Sequence, residues 1–218
     1  YDALEALRPE TQRLDQTVVP RTYATVVLNS PVQQAAEQTE KLERPEVLFQ
    51  RGQDYKLGRN VEKDPVRAVE WFRTAANHGY APAQYAMGLA CEFGKGTAKD
   101  PQRAVQWYEK AAQQGDANAQ CALGTCLYNG TGVTQNYVQA AQWYEKAARQ
   151  GHARGAFNLG TCLEHGRGVS KDPAQATEWY EKAAKQGNIP AQYAMGLACE
   201  FGKGTEQDPQ RAVQWDEK

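Results

Sequence analysis

Three histidines and five cysteines are the side chains in this 218-residue sequence best equipped to bind a metal or act as a nucleophile. His78, His152 and His165 are too scattered to build a metal cluster, and His78 and His152 stand beside expected helix termini, where turn capping is the ordinary role. Cys91, Cys121, Cys126, Cys162 and Cys199 include no Cys-x-x-Cys pair, so no zinc site is expected. The thiols read as small packed side chains. Gly94-Lys95-Gly96-Thr97 superficially resembles a phosphate loop, but its distance from Gly88 is wrong for a Walker sequence and no strand precedes it. There is no nucleophile elbow and no HExxH. The expectation is a protein with no catalytic residues, no metal and no cofactor. The rival is a thiol- or metal-dependent enzyme using Cys126, Cys162 and His165.

Composition narrows the partners. The chain is 41% hydrophobic with a formal net charge of −1, an ordinary globular composition with no long-range attraction for polyanions. No basic stripe suited to nucleic acid runs along it. No apolar run approaches the roughly 18 residues a membrane helix requires. The sequence opens on Tyr1 rather than methionine, as expected after removal of an export signal or after trimming. Binding chemistry, then, has to come from surface positions that packing does not dictate, and those depend on the repeat.

Pro82–Lys110 returns at Pro190–Lys218 with only Ala98→Glu206, Lys99→Gln207 and Tyr108→Asp216 changed, and looser copies lie between. All five tryptophans keep one period: Trp71, Trp107, Trp143, Trp179 and Trp215. Self-similarity of this length predicts a solenoid of stacked supersecondary units. The units run over 45–80, 81–116, 117–152 and 153–188, with a partial fifth over 189–218; together they make a repeat array over 45–218. Each reads helix, glycine-rich turn, helix, short turn.

Asp64-Pro65, Asp100-Pro101, Asp172-Pro173 and Asp208-Pro209 place a capping carboxylate before proline at the first helical position, and Asn136-Tyr137 is the weaker version. Gly58, Gly94, Gly130, Gly166 and Gly202 end the first helices, while Gly79, Gly115, Gly151 and Gly187 close the second. Asn60 stands where the other copies carry a second turn glycine, and asparagine is the best substitute at positive φ. Gly52, Gly88, Gly124, Gly160 and Gly196 lie inside the first helices at a cost of about 1 kcal/mol each. That recurrence predicts another backbone close against them. The tryptophans are expected to be buried, with the Ala-Ala pairs beside them letting neighbouring helices approach.

With positions 84, 87, 88 and 91 as core, the opposite face of the first helix is 82, 86, 89 and 93. That face reads Pro82, Ala86, Leu89, Phe93 in repeat two and Pro190, Ala194, Leu197, Phe201 in repeat five. Repeat three gives Asn118, Ala122, Thr125, Asn129, and repeat four gives Arg154, Asn158, Thr161, His165. Repeat one gives Glu46, Gln50, Gln53, Leu57, and Tyr85, Phe157 and Tyr193 border the face. Leucine and phenylalanine there lower solubility unless a partner covers them, and aromatic anchors are typical hot spots. The expected groove has apolar ends and a polar middle, with charge-assisted contacts from Arg154 and His165. A structural role, packing sideways on the next repeat, is the competing account of the same residues. The near-identity of repeats two and five also leaves self-association open.

Residues 1–44 stand outside the array as an N-terminal extension. A short helix over Asp2–Leu7, a β-branched stretch over Thr22–Asn29 and a capping helix from Ser30-Pro31 to about Leu42 are expected there.

In its third unit the pattern resembles the Sel1-like repeat family, relatives of the tetratricopeptide repeats. The carrying residues are Ala119, Leu123-Gly124, Gly130-x-Gly132-Val133, Ala140, Trp143-Tyr144, Lys146-Ala147-Ala148 and Gly151. The resemblance covers 45–218 and departs from the pattern at Asn60 and at Asp216, where Tyr108, Tyr144 and Tyr180 stand in other copies. It implies an all-α, right-handed α/α superhelix of about five helix-turn-helix repeats whose first helices line a concave groove. It also implies a non-enzymatic scaffold that holds a protein partner. The narrower expectation is a bacterial immunity or inhibitor protein, periplasmic or exported, that neutralises a secreted, lipase-like toxic effector. The alternative is a cytoplasmic signalling or assembly adaptor.

Overall fold

The computed structural model describes residues 44–216, and the chain divides into residues 1–43 and 44–218. The expected helices over Asp2–Leu7 and Ser30–Leu42, and the stretch Thr22–Asn29, lie outside the described residues. Ten helices follow one another: α1 (Pro45–Leu57), α2 (Pro65–Asn77), α3 (Ala81–Phe93), α4 (Pro101–Gln113), α5 (Ala117–Asn129), α6 (Tyr137–Arg149), α7 (Ala153–His165), α8 (Pro173–Ala184), α9 (Ile189–Phe201) and α10 (Pro209–Asp216). Each packs chiefly on the helices before and after it in sequence, and no strand occurs among the described residues. The arrangement is an α-solenoid built from five helix pairs.

The boundaries follow from local chemistry. Asp100 and Asp172 accept from the amides of Arg103 and Gln175 at 3.0 and 2.9 Å, and Asn136 accepts from Gln139 at 3.0 Å. Each satisfies an orphan donor at the positive end of its helix. Gly58, Gly94, Gly130, Gly166 and Gly202 adopt φ of 65–73°, and Asn60 keeps the left-handed turn of the first repeat at φ 58°. The second turn glycine is fixed twice over. A Cβ on Gly96 would stand 2.0 Å from the carbonyl oxygen of Pro65, because the turn of one repeat rests on the start of the preceding repeat's second helix.

Two expectations about packing are corrected. The glycines inside the first helices make room mainly for an aromatic ring rather than for a backbone: a Cβ on Gly88 would lie 2.3 Å from the Tyr108 ring, and one on Gly52 2.5 Å from Phe72. Tyr144 and Tyr180 fill the same place beside Gly124 and Gly160. The tryptophans, with one exception, are not the buried anchors. Trp71, Trp107, Trp143 and Trp179 are only half-buried, and a cation covers each ring, as Lys146 covers Trp143 at 4.0 Å. Trp215 alone is buried. The core belongs to the tyrosine column, the Ala-Ala pairs, and Met87, Leu123, Leu159 and Met195.

Buried polar groups stitch successive pairs together. Gln84 donates to the Ala76 carbonyl at 3.2 Å, capping the end of α2, and accepts from Gln114 at 2.7 Å. Gln120 repeats both bonds with Ala112 and Gln150. No buried side-chain nitrogen or oxygen lacks a partner among the described residues.

Candidate functional site

The last residue of each first helix precedes a left-handed glycine, which turns the chain away and leaves that side chain outside the core. Stacking the repeats therefore sets Leu57, Phe93, Asn129, His165 and Phe201 at equivalent places along one line. All five are exposed, with Leu57, Phe93 and Phe201 at 51%, 57% and 59%. Lys95 and Lys203 lie over the rings of Phe93 and Phe201, each 5.7 Å from the centroid. Nδ1 of His165 stands 3.8 Å from the Glu164 carboxylate.

The expected face is not uniformly free. Leu89 and Leu197 are half-buried, and Leu89 packs against the core while lining a groove. Ala86 is buried outright. Tyr85 and Phe157 lean on Tyr108 and Tyr180, with centroids 5.8 and 5.6 Å apart, so each belongs partly to the interior. Tyr193, at the same repeat position, is 63% exposed. Arg154 is exposed in the first turn of α7. Phe93, Asn129, His165 and Phe201 are thus exposed at equivalent repeat positions, Leu89 and Leu197 are half-buried, and of Tyr85, Phe157 and Tyr193, which share one repeat position, only Tyr193 is exposed.

Grooves open between successive first helices along this line. The groove between repeats one and two has a volume of about 680 Å³; Leu57, Leu89 and Phe93 line it together with Lys56, Lys63 and Lys95. Its counterpart between repeats four and five, about 330 Å³, is lined by Tyr193, Leu197 and Lys203 among others. Sequence reasoning missed the lysines, since a lysine at a helix end or in a turn reads as solvated until the fold sets it beside an apolar groove.

The half-buried and buried tyrosines, His152 and the cysteines serve the structure. Tyr108 donates to Glu92 at 2.5 Å and Tyr180 to Glu164 at 2.8 Å. Burial, followed by the bond to Glu92, pushes the Tyr108 hydroxyl well above the usual phenol range. His152 caps α7, its Nδ1 accepting from the Gly155 amide at 3.0 Å, and burial with the nearby Arg154 charge lowers its pKa. The five cysteines are free and buried. Burial raises Cys126 and Cys162 to about 11, which keeps both as inert thiols near neutral pH. Among the described residues no three of His, Cys, Asp and Glu converge as a metal site, and no helix is long and apolar enough to cross a membrane.

A stack of paired helices with an exposed line of side chains and open grooves between repeats defines a helical-repeat interaction scaffold. A family model, the Sel1 repeat, matches residues 45–80, 81–116, 117–152, 153–188 and 189–218, and the chain belongs to the Sel1 repeat family. Sel1 repeats serve protein–protein interaction. A Sel1 repeat protein from Oxalobacter formigenes is 34% identical, covering 89% of this chain and 74% of its own, with a TM-score of 0.77. A protective antigen with this fold from uropathogenic Escherichia coli is 35% identical over 87% of this chain, with a TM-score of 0.78; this chain spans only 40% of that protein. An immunity protein from Pseudomonas aeruginosa shares the fold at 20% identity, covering 78% of this chain and 63% of its own, with a TM-score of 0.55. No curated protein sequence matches the chain.

Proposed function

We propose that this protein is a non-enzymatic scaffold that holds a protein partner along the line Leu57, Phe93, Asn129, His165 and Phe201. The observation that carries the reading is the exposure of large apolar side chains at helix ends that the fold leaves uncovered, with Phe93 and Phe201 each more than half exposed. Apolar anchors at both ends with polar groups between them suit an extended contact with one partner. The test is affinity capture from cells that make the protein, comparing it with the Phe93→Ala/Phe201→Ala variant. Loss of a specific partner from the variant supports the reading. Undiminished capture, with the variant's circular dichroism unchanged, refutes it.

The finer reading is that the protein is exported and that the partner is a secreted, lipase-like toxic effector, neutralised as an immunity protein neutralises its toxin. Family resemblance supports this, as does the architecture shared with an immunity protein and with a protective antigen. Co-expression supplies its test: protection of cells from the toxicity of such an effector is expected. A purely cytosolic pool on fractionation counts against it and favours the adaptor reading.

A further inference from the structure

The groove between repeats one and two joins an apolar floor to a one-sided charge. Among the described residues that line it, only Lys56, Lys63 and Lys95 have polar side chains; the remainder are apolar side chains or glycine backbone, and none is a carboxylate. None of the three ammonium groups takes part in an ion pair among the described residues. Leu57 and Phe93 stay exposed at its mouth. The chain as a whole carries a net charge of only −1, so this concentration of cations is local rather than compositional.

The counterpart between repeats four and five keeps part of this plan, with Leu197 and Lys203 standing where Leu89 and Lys95 stand and Glu164 in the place of Lys56. Among the described residues lining it, the one carboxylate, Glu164, accepts from the Tyr180 hydroxyl, and the adjoining cleft is edged by Arg167, Lys171 and Lys203. The inner repeat supplies the contrast: the positions of Lys95 and Lys99 are Thr131 and Gln135 in repeat three. Cations on the rim of an apolar floor select an occupant with an apolar side chain to bury and carboxylates to meet the ammonium groups.

We propose that these two grooves each receive a short acidic segment of the partner, one that carries a bulky apolar side chain. The inference rests on the scaffold reading and adds the chemistry of what is held. Uncharged apolar segments gain nothing from the rim, and basic segments are repelled by it.

The test is fluorescence anisotropy with the full chain and a labelled peptide, Glu-Asp-Glu-Leu-Phe-Glu-Asp-Glu. Two control peptides replace Leu-Phe with Ser-Ser, or every acid with lysine. Saturable binding of the first peptide is expected, at least about tenfold tighter than either control and weakening as salt is raised. The surface variant Lys63→Glu/Lys95→Glu/Lys203→Glu should lose about tenfold in affinity, while Lys146→Glu on α6, a residue that lines neither groove, should change nothing. Equal binding of the lysine peptide, or failure of the acidic peptide to bind, overturns the inference. Self-association abolished by Phe93→Ala would assign the groove to a second copy. Tighter binding to phosphatidylglycerol vesicles than to the peptide would assign it to a membrane, and either result overturns the inference. Acidic-peptide failure alongside partner capture that still depends on Phe93 and Phe201 would leave the scaffold reading standing.

Discussion

Tyr108 presses its ring against Gly88 so closely that a methyl group on that glycine would sit 2.3 Å from Cε1. The usual exchange of a helical glycine for alanine stabilises by about 1 kcal/mol. Here it must displace a ring that is fully buried and whose hydroxyl is tied to Glu92. Gly88→Ala is therefore expected to destabilise by about 1–3 kcal/mol, the usual cost of overpacking. Urea unfolding checks this, and a raised midpoint would show that the ring moves aside freely.

That pair also shows where the sequence was legible and where it was not. Asp100-Pro101, Gly94 and Gly115 announced helix ends through chemistry that acts within a few residues, and the ends fall where those residues stand. Trp107 and Tyr108 are neighbours on one helix, and periodicity alone favoured the larger ring as the anchor. Only the fold shows Tyr108 against Gly88 and leaves Trp107 half-buried under Lys110, 4.6 Å from the ring centroid. The joint recurrence of an internal glycine and a tyrosine 20 residues later was the available signal. The exposed ends Phe93 and Phe201 were legible from helical spacing. The rim was not, because Lys56 and Lys63 come to line one groove with Leu89 and Phe93 only across a repeat boundary.

His152 makes stability depend on pH. Its Nδ1 must be neutral to accept from Gly155, and burial lowers its folded-state pKa below the ordinary 6.5. The cap's contribution is thus complete above about pH 6.5 and is lost as pH falls through the lowered folded-state value. Its size should be about 1 kcal/mol. His152→Asn keeps an acceptor that does not titrate, so the difference in unfolding midpoint between the two proteins should shift toward the variant from pH 8 to pH 5. A constant difference would remove the histidine from the account.

The thiols offer a direct check of the interior. With Cys126 and Cys162 raised to about 11 and all five cysteines buried, the folded protein should react with an aromatic disulfide reagent at pH 7.5 at well under a hundredth of the unfolded rate. Rapid labelling of one thiol in the folded protein would reopen the thiol-enzyme alternative.

Photo-crosslinking tests the binding surface most directly. Benzoylphenylalanine would replace Phe93, Phe201 or, on the exposed side of α6, Gln142, in cells that make the protein. Covalent adducts to one partner protein from positions 93 and 201, with none from 142, are the predicted result. Adducts from 142 while 93 and 201 stay silent would contradict the assignment of the partner to the first-helix ends.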